Sequence, residues 1–450
     1  MKGATRRWSR SPLWLLALLA LVTVTVLGAA ACGGDDDDAS GDTSGGAAAA
    51  NQDVSGSLSV LGIWSGQEQE SFRAVIDAFN EQYPNVNVSY KSAGDNLPTV
   101  LQTAVQGGNP PDVAFIAQPG TIQGFATDGK LQSLDFAKDA VVENFGQSVA
   151  DIGTFDGTLY GILFKSANKS LGWYNTAVFS DAGVEPPETF EDLSTAADTI
   201  AASGVPPYSI AGADGWTLTD LFENIYLRTA GPEKYDQLAK HEIKWTDPSV
   251  IDALNQMKVV IGKSANIAGG SRGALQIDFP TSVKQLFTDP PKAAMTFEGD
   301  FVGGNIANET NAQEGDYGVF TFPSVNGSGP AVVGAGDIGV LFKDSPAGQA
   351  FMTFLTTPEA AQAWASRGGF LSANKNVDPS VYPDDITRQI ATDLADAETF
   401  RFDMSDLAPP AFGGTPGQGE WKILQDFLRN PNDVQGTAQA LETAAARAYK

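Results

Sequence analysis

LSVLGIWSGQEQESFRAVIDAFNEQYPNVNVSYKSAGDNLPTVLQTAVQGGNPPDVAFI, residues 58–116, is the stretch of sequence that decides the fold. Short apolar runs alternate in it with segments whose apolar residues share one helical face, as Phe72, Val75 and Phe79 do. Such runs indicate buried strands, and the helical spacing indicates amphipathic helices. The resulting order is strand 58–64, helix 68–83, strand 86–90, helix 97–107 and strand 112–116. This order predicts an α/β fold with a parallel, doubly wound sheet covered on both faces.

The rest of the chain continues the α/β pattern and ends in a helix-rich region. Strands are predicted over 167–174, 292–297 and 331–342. Helices are predicted over 190–203, 219–230, 248–261, 347–367, 386–395, 419–428 and 434–449. With 450 residues, 42% of them apolar, the chain is long enough for two or three domains with substantial cores.

The N-terminal segment is typical of an export signal followed by a tether. A basic start, an apolar run over 13–26 and small residues at 28–31 predict a signal peptide over 1–31. The apolar run is too short for a resident membrane span. Small residues directly before Cys32 resemble a bacterial lipobox, which implies that Cys32 carries lipid; the alternative is a free thiol after an ordinary cleavage site. Residues 32–56, rich in Gly, Asp and Ala, are predicted to be a disordered, acylated tether.

The charge and the residue counts exclude several functions. The chain has 28 Lys and Arg against 54 Asp and Glu, a formal net charge of −26, which excludes nucleic acid as a partner. It has one histidine and one cysteine, too few for a Cys/His zinc cluster, a Cys–His dyad or a CxxC pair. His241 lies in a polar run and no GxSxG motif is present, so we interpret it as a surface residue. We expect neither a metal nor a cofactor.

Eight short segments, in order along the chain, resemble a known family. They are WSGQE (64–68), GNPPDV (108–113), QPG (118–120), YGILFK (160–165), LGWYN (171–175), PPETFEDL (186–193), AMTFEGD (294–300) and GGF (368–370). They resemble segments of the family 1 extracellular solute-binding proteins of ABC sugar importers, and together they span most of 57–430. The nearest resemblance is to the α-glucoside-binding, AglE-like branch.

The resemblance implies a two-lobed periplasmic-binding-protein-like fold of type II, which closes on its ligand in the manner of a Venus flytrap. Three segments would cross between the lobes, at 162–166, 334–342 and 368–373. The N-terminal lobe would comprise 57–163 plus 334–372, and the C-terminal lobe 164–333 plus 373–450. We expect a monomer, lipid-anchored to the outer face of a bacterial cytoplasmic membrane, that delivers a sugar to ABC permease subunits.

The candidate ligand-binding residues combine aromatic rings with carboxylates, an amide and a lysine. Rings match the apolar face of a pyranose, and polar groups match its hydroxyl rim. Trp64, Glu68 and Gln118 follow predicted strands, where doubly wound sheets bind ligands. The full set is Trp64, Glu68, Gln118, Lys165, Trp216, Asp220, Glu298, Asp300, Phe301, Asp337 and Trp421.

Several of these residues have a second interpretation. Trp64 and Phe301 are also suited to core packing, and Glu68 to capping its helix. Lys165 and Asp337 lie at predicted crossings, so they contact the ligand or serve the hinge. Trp216, in a polar loop before a helix, is harder to explain by packing, and Trp421 matches the place of a late aromatic residue in the family.

Two other functions remain open at this point. The acidic charge suits a cationic ligand such as a polyamine, because aromatic and acidic side chains together bind cations. Glu298 and Asp300 could instead serve a glycosidase, although we expect them to make a poor facing pair of acid and nucleophile. We therefore expect a binding protein, not an enzyme, for a di- or oligosaccharide such as an α-glucoside.

Overall fold

The computed structural model describes residues 53–395 and 397–450. The predicted signal peptide over 1–31, the predicted lipidation site Cys32 and the predicted tether up to residue 52 lie outside the described residues. Within the described part, no helix is both long and apolar enough to span a membrane.

The strands belong to two larger sheets and one short hairpin. They are β1 (Gly56–Gly62), β2 (Val86–Ser92), β3 (Val113–Ile116), β4 (Thr154–Phe155), β5 (Thr158–Leu159), β6 (Gly161–Asn168), β7 (Leu171–Asn175), β8 (Met295–Phe297), β9 (Tyr317–Thr321), β10 (Val332–Leu341), β11 (Leu371–Ser372) and β12 (Phe400–Phe402).

Helices connect and cover these strands. They are α1 (Gly66–Gln82), α2 (Leu97–Gln106), α3 (Pro119–Thr127), α4 (Lys138–Phe145), α5 (Gln147–Ile152), α6 (Thr176–Ala182), α7 (Phe190–Ala202), α8 (Trp216–Ala230), α9 (Pro232–Ala239), α10 (Pro248–Ile261), α11 (Gly270–Ala274), α12 (Phe279–Gln285), α13 (Val302–Glu309), α14 (Pro346–Phe354), α15 (Pro358–Ala365), α16 (Asp385–Ala395), α17 (Met404–Leu407), α18 (Pro410–Gly413), α19 (Gly419–Arg429) and α20 (Val434–Ala448).

The larger sheet contains the three strands of the N-terminal region, β1, β2 and β3. Its strand order is β11-β6-β10-β3-β1-β2, with β12 paired to β10. Strand β1 is parallel to both β2 and β3, as the strand–helix–strand units predict. Strand β10 returns from far along the chain and is antiparallel to β3 and β6, so the sheet is mixed instead of wholly parallel.

Alternating side chains of β3 enter two apolar layers, one on each face of this sheet. Val113 and Phe115 pack in one cluster with residues of α1, α14 and α15. Ala114 and Ile116 pack in another with residues of α2 and α3. Successive residues of a strand point to opposite faces, so four consecutive buried residues require cover on both sides.

The second sheet is antiparallel, in the order β8-β7-β9. Its largest neighbouring core contains buried side chains from α7, α8, α10, α19 and α20, among them Phe222 and Leu424, together with Trp245 from the segment before α10. The helix-rich end of the chain therefore supplies cover for this part of the molecule.

Two predicted elements are each divided in the structure. The strand predicted over 167–174 is two strands, β6 and β7, which separate at Lys169 and Ser170 and enter different sheets. The helix predicted over 347–367 is interrupted before Pro358, where Thr357 caps α15 by accepting from the amide of Ala360. A proline at the first position of a helix cannot continue the preceding one.

The three segments that were predicted to cross between lobes are hydrogen-bonded neighbours. Residues 162–166 lie in β6, 334–342 lie mostly in β10, and 368–373 contain β11. Asp337 of β10 is paired with Lys165 of β6, and Ser166 of β6 is paired with Leu371 of β11. The register between β10 and β6 shifts just after Asp337.

Candidate functional site

A cavity of about 250 Å³ lies where β1 and β3 end. Trp64 and Glu68, which follow β1, line it together with Gln118, which follows β3. Because the carboxyl ends of neighbouring parallel strands meet at one edge of a sheet, residues distant in sequence come together here. The volume is close to the lower end of the range found for small-molecule sites.

The cavity brings together eight of the eleven predicted residues. Those on its lining are Trp64, Glu68, Gln118, Lys165, Trp216, Phe301, Asp337 and Trp421. Asp220, Glu298 and Asp300 are buried outside the lining, each at most 5% exposed. Their carboxyl groups contact other buried groups of the protein.

Three half-buried rings, Trp216, Phe279 and Phe301, form what we call the aromatic wall. The centroid of Trp216 is 5.5 Å from that of Phe279 and 6.0 Å from that of Phe301, and Phe279 and Phe301 are 5.2 Å apart. Asp214 accepts a hydrogen bond of 2.6 Å from the amide of Phe279, which joins the start of α12 to the loop before α8. This hydrogen bond lies outside the aromatic wall and connects the segments that carry Phe279 and Trp216.

Trp64 has different surroundings. It is 1% exposed and packs against Phe72, Phe115 and Trp364, with ring centroids 4.5 to 4.7 Å away. Its Nε1 donates a 2.8 Å hydrogen bond to Asp337. Most of this ring thus belongs to the core under the cavity, and only part of it reaches the lining.

A charged network around Lys165 lies at the same place. Glu68, 41% exposed, accepts a 2.5 Å hydrogen bond from the buried Nζ of Lys165, which lies 6.0 Å from the centroid of Phe301. Burial alone would lower the pKa of Lys165, but the charges of Glu68, Asp337 and Asp300 outweigh it and raise that pKa. Lys165 is therefore a cation at neutral pH.

Lys169, which the sequence analysis missed, forms a second network on the lining. Its Nζ is 3.0 Å from Asp220 Oδ1, 2.6 Å from Asp403 Oδ2 and 3.9 Å from Asp406 Oδ2. Burial alone would raise the pKa of Asp403, but Lys169 and further donors lower it to about 2. Burial raises the pKa of Asp220 to about 7 despite Lys169. Asp403 is thus the firmly ionised partner.

Gln118 and Trp421 occupy another part of the lining, with Asp406. Burial and the charge of Asp403 raise the pKa of Asp406 well above its ordinary value, and the nearby Gln118 side chain opposes this only in part. Trp421 is 3% exposed, and its Nε1 has no acceptor among the described residues. A buried indole N–H beside a cavity is a donor that a ligand oxygen can satisfy.

The predicted residues outside the lining have identifiable reasons for their positions. Helix α8 begins at Trp216 itself and not at the predicted residue 219. Asp220 therefore lies one turn inside the helix and not at its start. Asp300 Oδ1 accepts a 2.7 Å hydrogen bond from the amide of Asn168. Glu298 lies within hydrogen-bonding reach of Asp220. Glu298 and Asp300 therefore have different neighbours.

Further side chains of the lining offer an aromatic ring and two amides. Besides Lys169, the lining includes the unpredicted side chains Phe279, Asn305 and Asn308. Asn305 and Asn308 lie three residues apart on α13, a spacing that brings side chains onto one helical face. The described residues hold no group of three side chains suited to a metal ion.

His241 is not on the lining and is not a free surface residue. Its Nε2 is 3.2 Å from Glu442 on α20, and its ring centroid is 5.2 Å from that of Tyr449. The single histidine therefore packs against the C-terminal helix, and its side chain is only 15% exposed.

Comparison with known sequences gives matches over most of the chain. The profile of the family described as bacterial extracellular solute-binding protein matches residues 64–362. GgtB of Synechocystis sp., an osmoprotective compounds-binding protein, is 32% identical over 386 residues, which are 84% of this chain and 90% of the relative. AglE of Rhizobium meliloti, an alpha-glucosides-binding periplasmic protein, is 35% identical over 393 residues, 84% of each chain.

Comparison with solved structures gives the same kind of fold. The bacterial solute receptor AcbH, for which an exclusive preference for β-D-galactopyranose is described, superposes with a TM-score of 0.77. The match covers 88% of this chain and 99% of that chain at 20% identity. At that identity the likeness concerns the path of the backbone and carries nothing about the ligand.

Proposed function

This chain belongs to the family of bacterial extracellular solute-binding proteins and has their α/β fold, and from that premise we propose that its cavity binds a di- or oligosaccharide. The family predicted from eight short segments is thereby confirmed. It is a family of binding proteins and not of enzymes, so the ligand is captured and released unchanged.

The observation that carries the sugar proposal is the composition of one lining. The aromatic wall lies in the same cavity as two lysine–carboxylate networks and the side-chain amides of Gln118, Asn305 and Asn308. A pyranose presents an apolar face and a rim of hydroxyl groups that both donate and accept. Rings beside charged and amide groups are complementary to both parts at once.

An α-glucoside is the sugar class that we propose. The support is the likeness to AglE, named for alpha-glucosides, over 84% of both chains. The equally extensive likeness to GgtB, named for osmoprotective compounds, makes a small polar solute of another kind the alternative within the same cavity. The cavity volume of about 250 Å³ favours a short ligand in either case.

A cationic ligand such as a polyamine is the weaker candidate. Glu68, Asp220 and Asp403 are the acids closest to the cavity cations, and each already contacts the ammonium of Lys165 or Lys169. Both ammonium groups adjoin the lining, so an incoming amine would meet like charges. The acidic balance of the whole chain therefore does not make this cavity a cation site.

We propose further that the molecule works as two lobes, over 57–163 plus 334–372 and over 164–333 plus 373–450. The support is that β1 to β3 and β7 to β9 belong to different sheets, whereas the neighbouring strands β6, β10 and β11 occupy the predicted crossings. Ligand contacts from both sides would favour a closed form, which ABC permease subunits would receive. Acylation of Cys32 would hold the protein at the membrane.

A thermal-shift screen of the purified chain tests the function. The panel contains trehalose, maltose, sucrose, maltotriose, glucose, a galactoside, a xyloside and a polyamine. We expect a rise of several degrees in Tm with one α-glucoside, because a ligand that binds only the folded state stabilises it. A shift with the polyamine and with none of the sugars would contradict the proposal. Release of free glucose during long incubation would contradict the assignment as a binding protein.

A further inference from the structure

Lys169 has one N–H group that its carboxylate partners do not use. An ammonium group has three N–H donors. Asp220 Oδ1, at 3.0 Å, and Asp403 Oδ2, at 2.6 Å, accept two of them, whereas Asp406 Oδ2, at 3.9 Å, is beyond hydrogen-bond distance. The side chain lines the cavity, and Nζ lies 5.5 Å from the centroid of Trp216. The remaining N–H is the one available to a molecule beside the aromatic wall.

The orientation of Lys169 depends on Asp220, and Asp220 has a second buried neighbour. Asp220 and Glu298 are each 2% exposed and lie within hydrogen-bonding reach of each other. Neither Asp220 Oδ2 nor Glu298 Oε2 has a donor among residues 53–395 and 397–450. Two facing carboxyl oxygens are both acceptors, so they form a hydrogen bond only if one of the groups keeps its proton.

Glu298 is the group that keeps it. Asp220 is in contact with the Lys169 ammonium, which favours the ionised form of that carboxyl. Burial and the nearby Asp220 raise the pKa of Glu298 well above its ordinary value, against a smaller opposing effect of Lys169. A protonated Glu298 donates to Asp220 Oδ2 and leaves Asp220 Oδ1 directed at Lys169.

The charges around this pair come from several elements. Glu298 faces Asp220 of α8, Lys169 between β6 and β7, and Asp214 before α8. Asp220 also faces Asp403, Asp406 and Glu420. One lysine among so many carboxyl groups cannot neutralise them all, and an unpaired buried charge is costly. Loss of the Glu298 proton would place a second carboxylate directly against Asp220.

We propose that Lys169 donates a hydrogen bond to the bound sugar and that Glu298 is its positioning residue, acting by holding a proton against Asp220. This assignment rests on the proposed function, since it needs a ligand oxygen beside the aromatic wall. It replaces the direct ligand contact that the sequence predicted for Glu298 and Asp220. Ligand affinity then depends on a proton that lies outside the cavity lining.

The test is the pH profile of sugar binding by the full chain and by Glu298→Gln. Association constants for maltose, trehalose and sucrose are measured by calorimetry from pH 7.5 to 9.5, where Asp220 is ionised at the start. We expect the wild-type constant to fall about tenfold as the pH passes the raised pKa of Glu298, the loss expected for one hydrogen bond from a charged donor. Glu298→Gln should match the wild type at pH 7.5 and hold its affinity, because an amide N–H donates to Asp220 at every pH.

Two more variants separate positioning from mere filling of space. Glu298→Leu has a similar volume but no donor, so it should bind about tenfold more weakly at pH 7.5, with no pH dependence from this pair. Lys169→Met should lose at least as much, because the donor itself is gone. The unliganded Tm of each variant is measured alongside; if Lys169→Met does not fold, the comparison of Gln with Leu at position 298 decides.

The possible outcomes distinguish the role of Glu298, the role of Lys169 and the sugar function from one another. Equal pH profiles for wild type and Glu298→Gln, or equal affinities of the Gln and Leu variants, would overturn the role of Glu298 and leave the sugar function standing. Wild-type affinity in a folded Lys169→Met would overturn the role of Lys169. If the wild-type chain binds none of the three sugars at any pH, the proposed function fails, and this inference fails with it.

Discussion

Trp216 is the half-buried indole of the cavity, and its neighbours leave part of the ring open. Phe279 and Phe301 adjoin it at 5.5 and 6.0 Å, and the ammonium of Lys169 lies 5.5 Å from its centroid. Trp64, in contrast, is enclosed by core aromatic rings and donates to Asp337. Of Trp64 and Trp216, Trp216 is therefore the tryptophan whose ring is more accessible to a ligand.

Trp216→Ala should weaken binding of the sugar found by the screen about tenfold or more, because the largest ring of the aromatic wall is lost. The unliganded Tm should change little, since the side chain is only half-buried. Trp216→Phe is the matched control and should stay within a few-fold of the wild type. Calorimetry of the three proteins decides; equal affinities of the Ala variant and the wild type would remove Trp216 from the site.

Single residues were predictable where they follow a strand end or interrupt a polar segment. Trp64, Glu68, Gln118 and Trp216 were found by that reasoning and lie on the lining. Lys169 and Phe279 were missed, because nothing local distinguishes Lys169 from a solvent-exposed lysine or Phe279 from a core residue. Only the approach of α8, α12 and the segment between β6 and β7 makes them neighbours.

The start of α8 is the element that presents Trp216. Gly215 precedes it at φ +85°, and a Cβ there would lie 2.8 Å from the Cβ of Trp421. Trp421 is itself on the lining, so the close approach of these two segments sets the shape of the cavity. Glycine is needed both for the backbone angle and for the contact.

Gly215→Ala should therefore lower both stability and sugar affinity. The left-handed region costs a residue with a side chain about 1–2 kcal/mol. The ψ of −46° at Gly215 lies outside that region, so its backbone cost is at least this large, and displacement of Trp421 adds to it. Gly183→Ala is the control: its φ is +68°, but its Cβ would meet nothing within 4 Å. That variant should lose only the left-handed contribution, because its ψ of +36° lies in that region, and it should bind the sugar normally. Urea unfolding and calorimetry measure the two effects; normal affinity in Gly215→Ala would contradict this role for the contact.

Element types were more predictable than their limits and pairing. The strand–helix–strand units of 58–116 are present as predicted, because their apolar periodicity reports burial directly. The predicted helix over 347–367 joined α14 to α15, because the apolar pattern continues through Pro358, where the backbone does not. The antiparallel placement of β10 beside β3 arises from chain segments more than 200 residues apart, and no local pattern encodes it.

At the scale of the whole molecule, buried acids with raised pKa values outnumber those with lowered ones near the cavity. Burial raises the pKa values of Asp220 and Asp300 to about 7, and Lys165 lowers that of Asp300 only in part. Burial also raises those of Glu298, Asp406 and Glu420 well above their ordinary values. Between pH 5 and 7.5 the folded state thus binds more protons than the unfolded chain.

The free energy of unfolding should therefore fall as the pH rises from 5 to 7.5 in the absence of ligand. A carboxyl whose pKa is raised on folding contributes stability that is complete below its unfolded value and is lost as the pH passes through the folded value. Asp300→Asn should reduce the slope by at most about 1.4 kcal/mol per pH unit, the value for one proton. Urea unfolding at pH 5, 6, 7 and 7.5 measures it.

Asp112→Asn is the matched control for that slope. Partial burial would raise the pKa of Asp112, but hydrogen bonds from Ser59 and the contact with Lys343 lower it overall. Its carboxyl is therefore ionised throughout this range in both states, and removing it should leave the slope unchanged. A stability that rises from pH 5 to 7.5 in the wild type would show that the buried acids do not dominate.

The uneven burial of the tryptophans gives the protein a fluorescence reporter of its own. Of the six in the described residues, Trp64, Trp173, Trp245, Trp364 and Trp421 are at most 3% exposed, and Trp216 is the half-buried one. A dissolved quencher such as acrylamide or iodide collides with an indole only where water reaches it. Quenching of the folded domain therefore reports on Trp216 in the cavity. The decrease in quenching when ligand is added measures the fraction of molecules that hold ligand, without an attached dye.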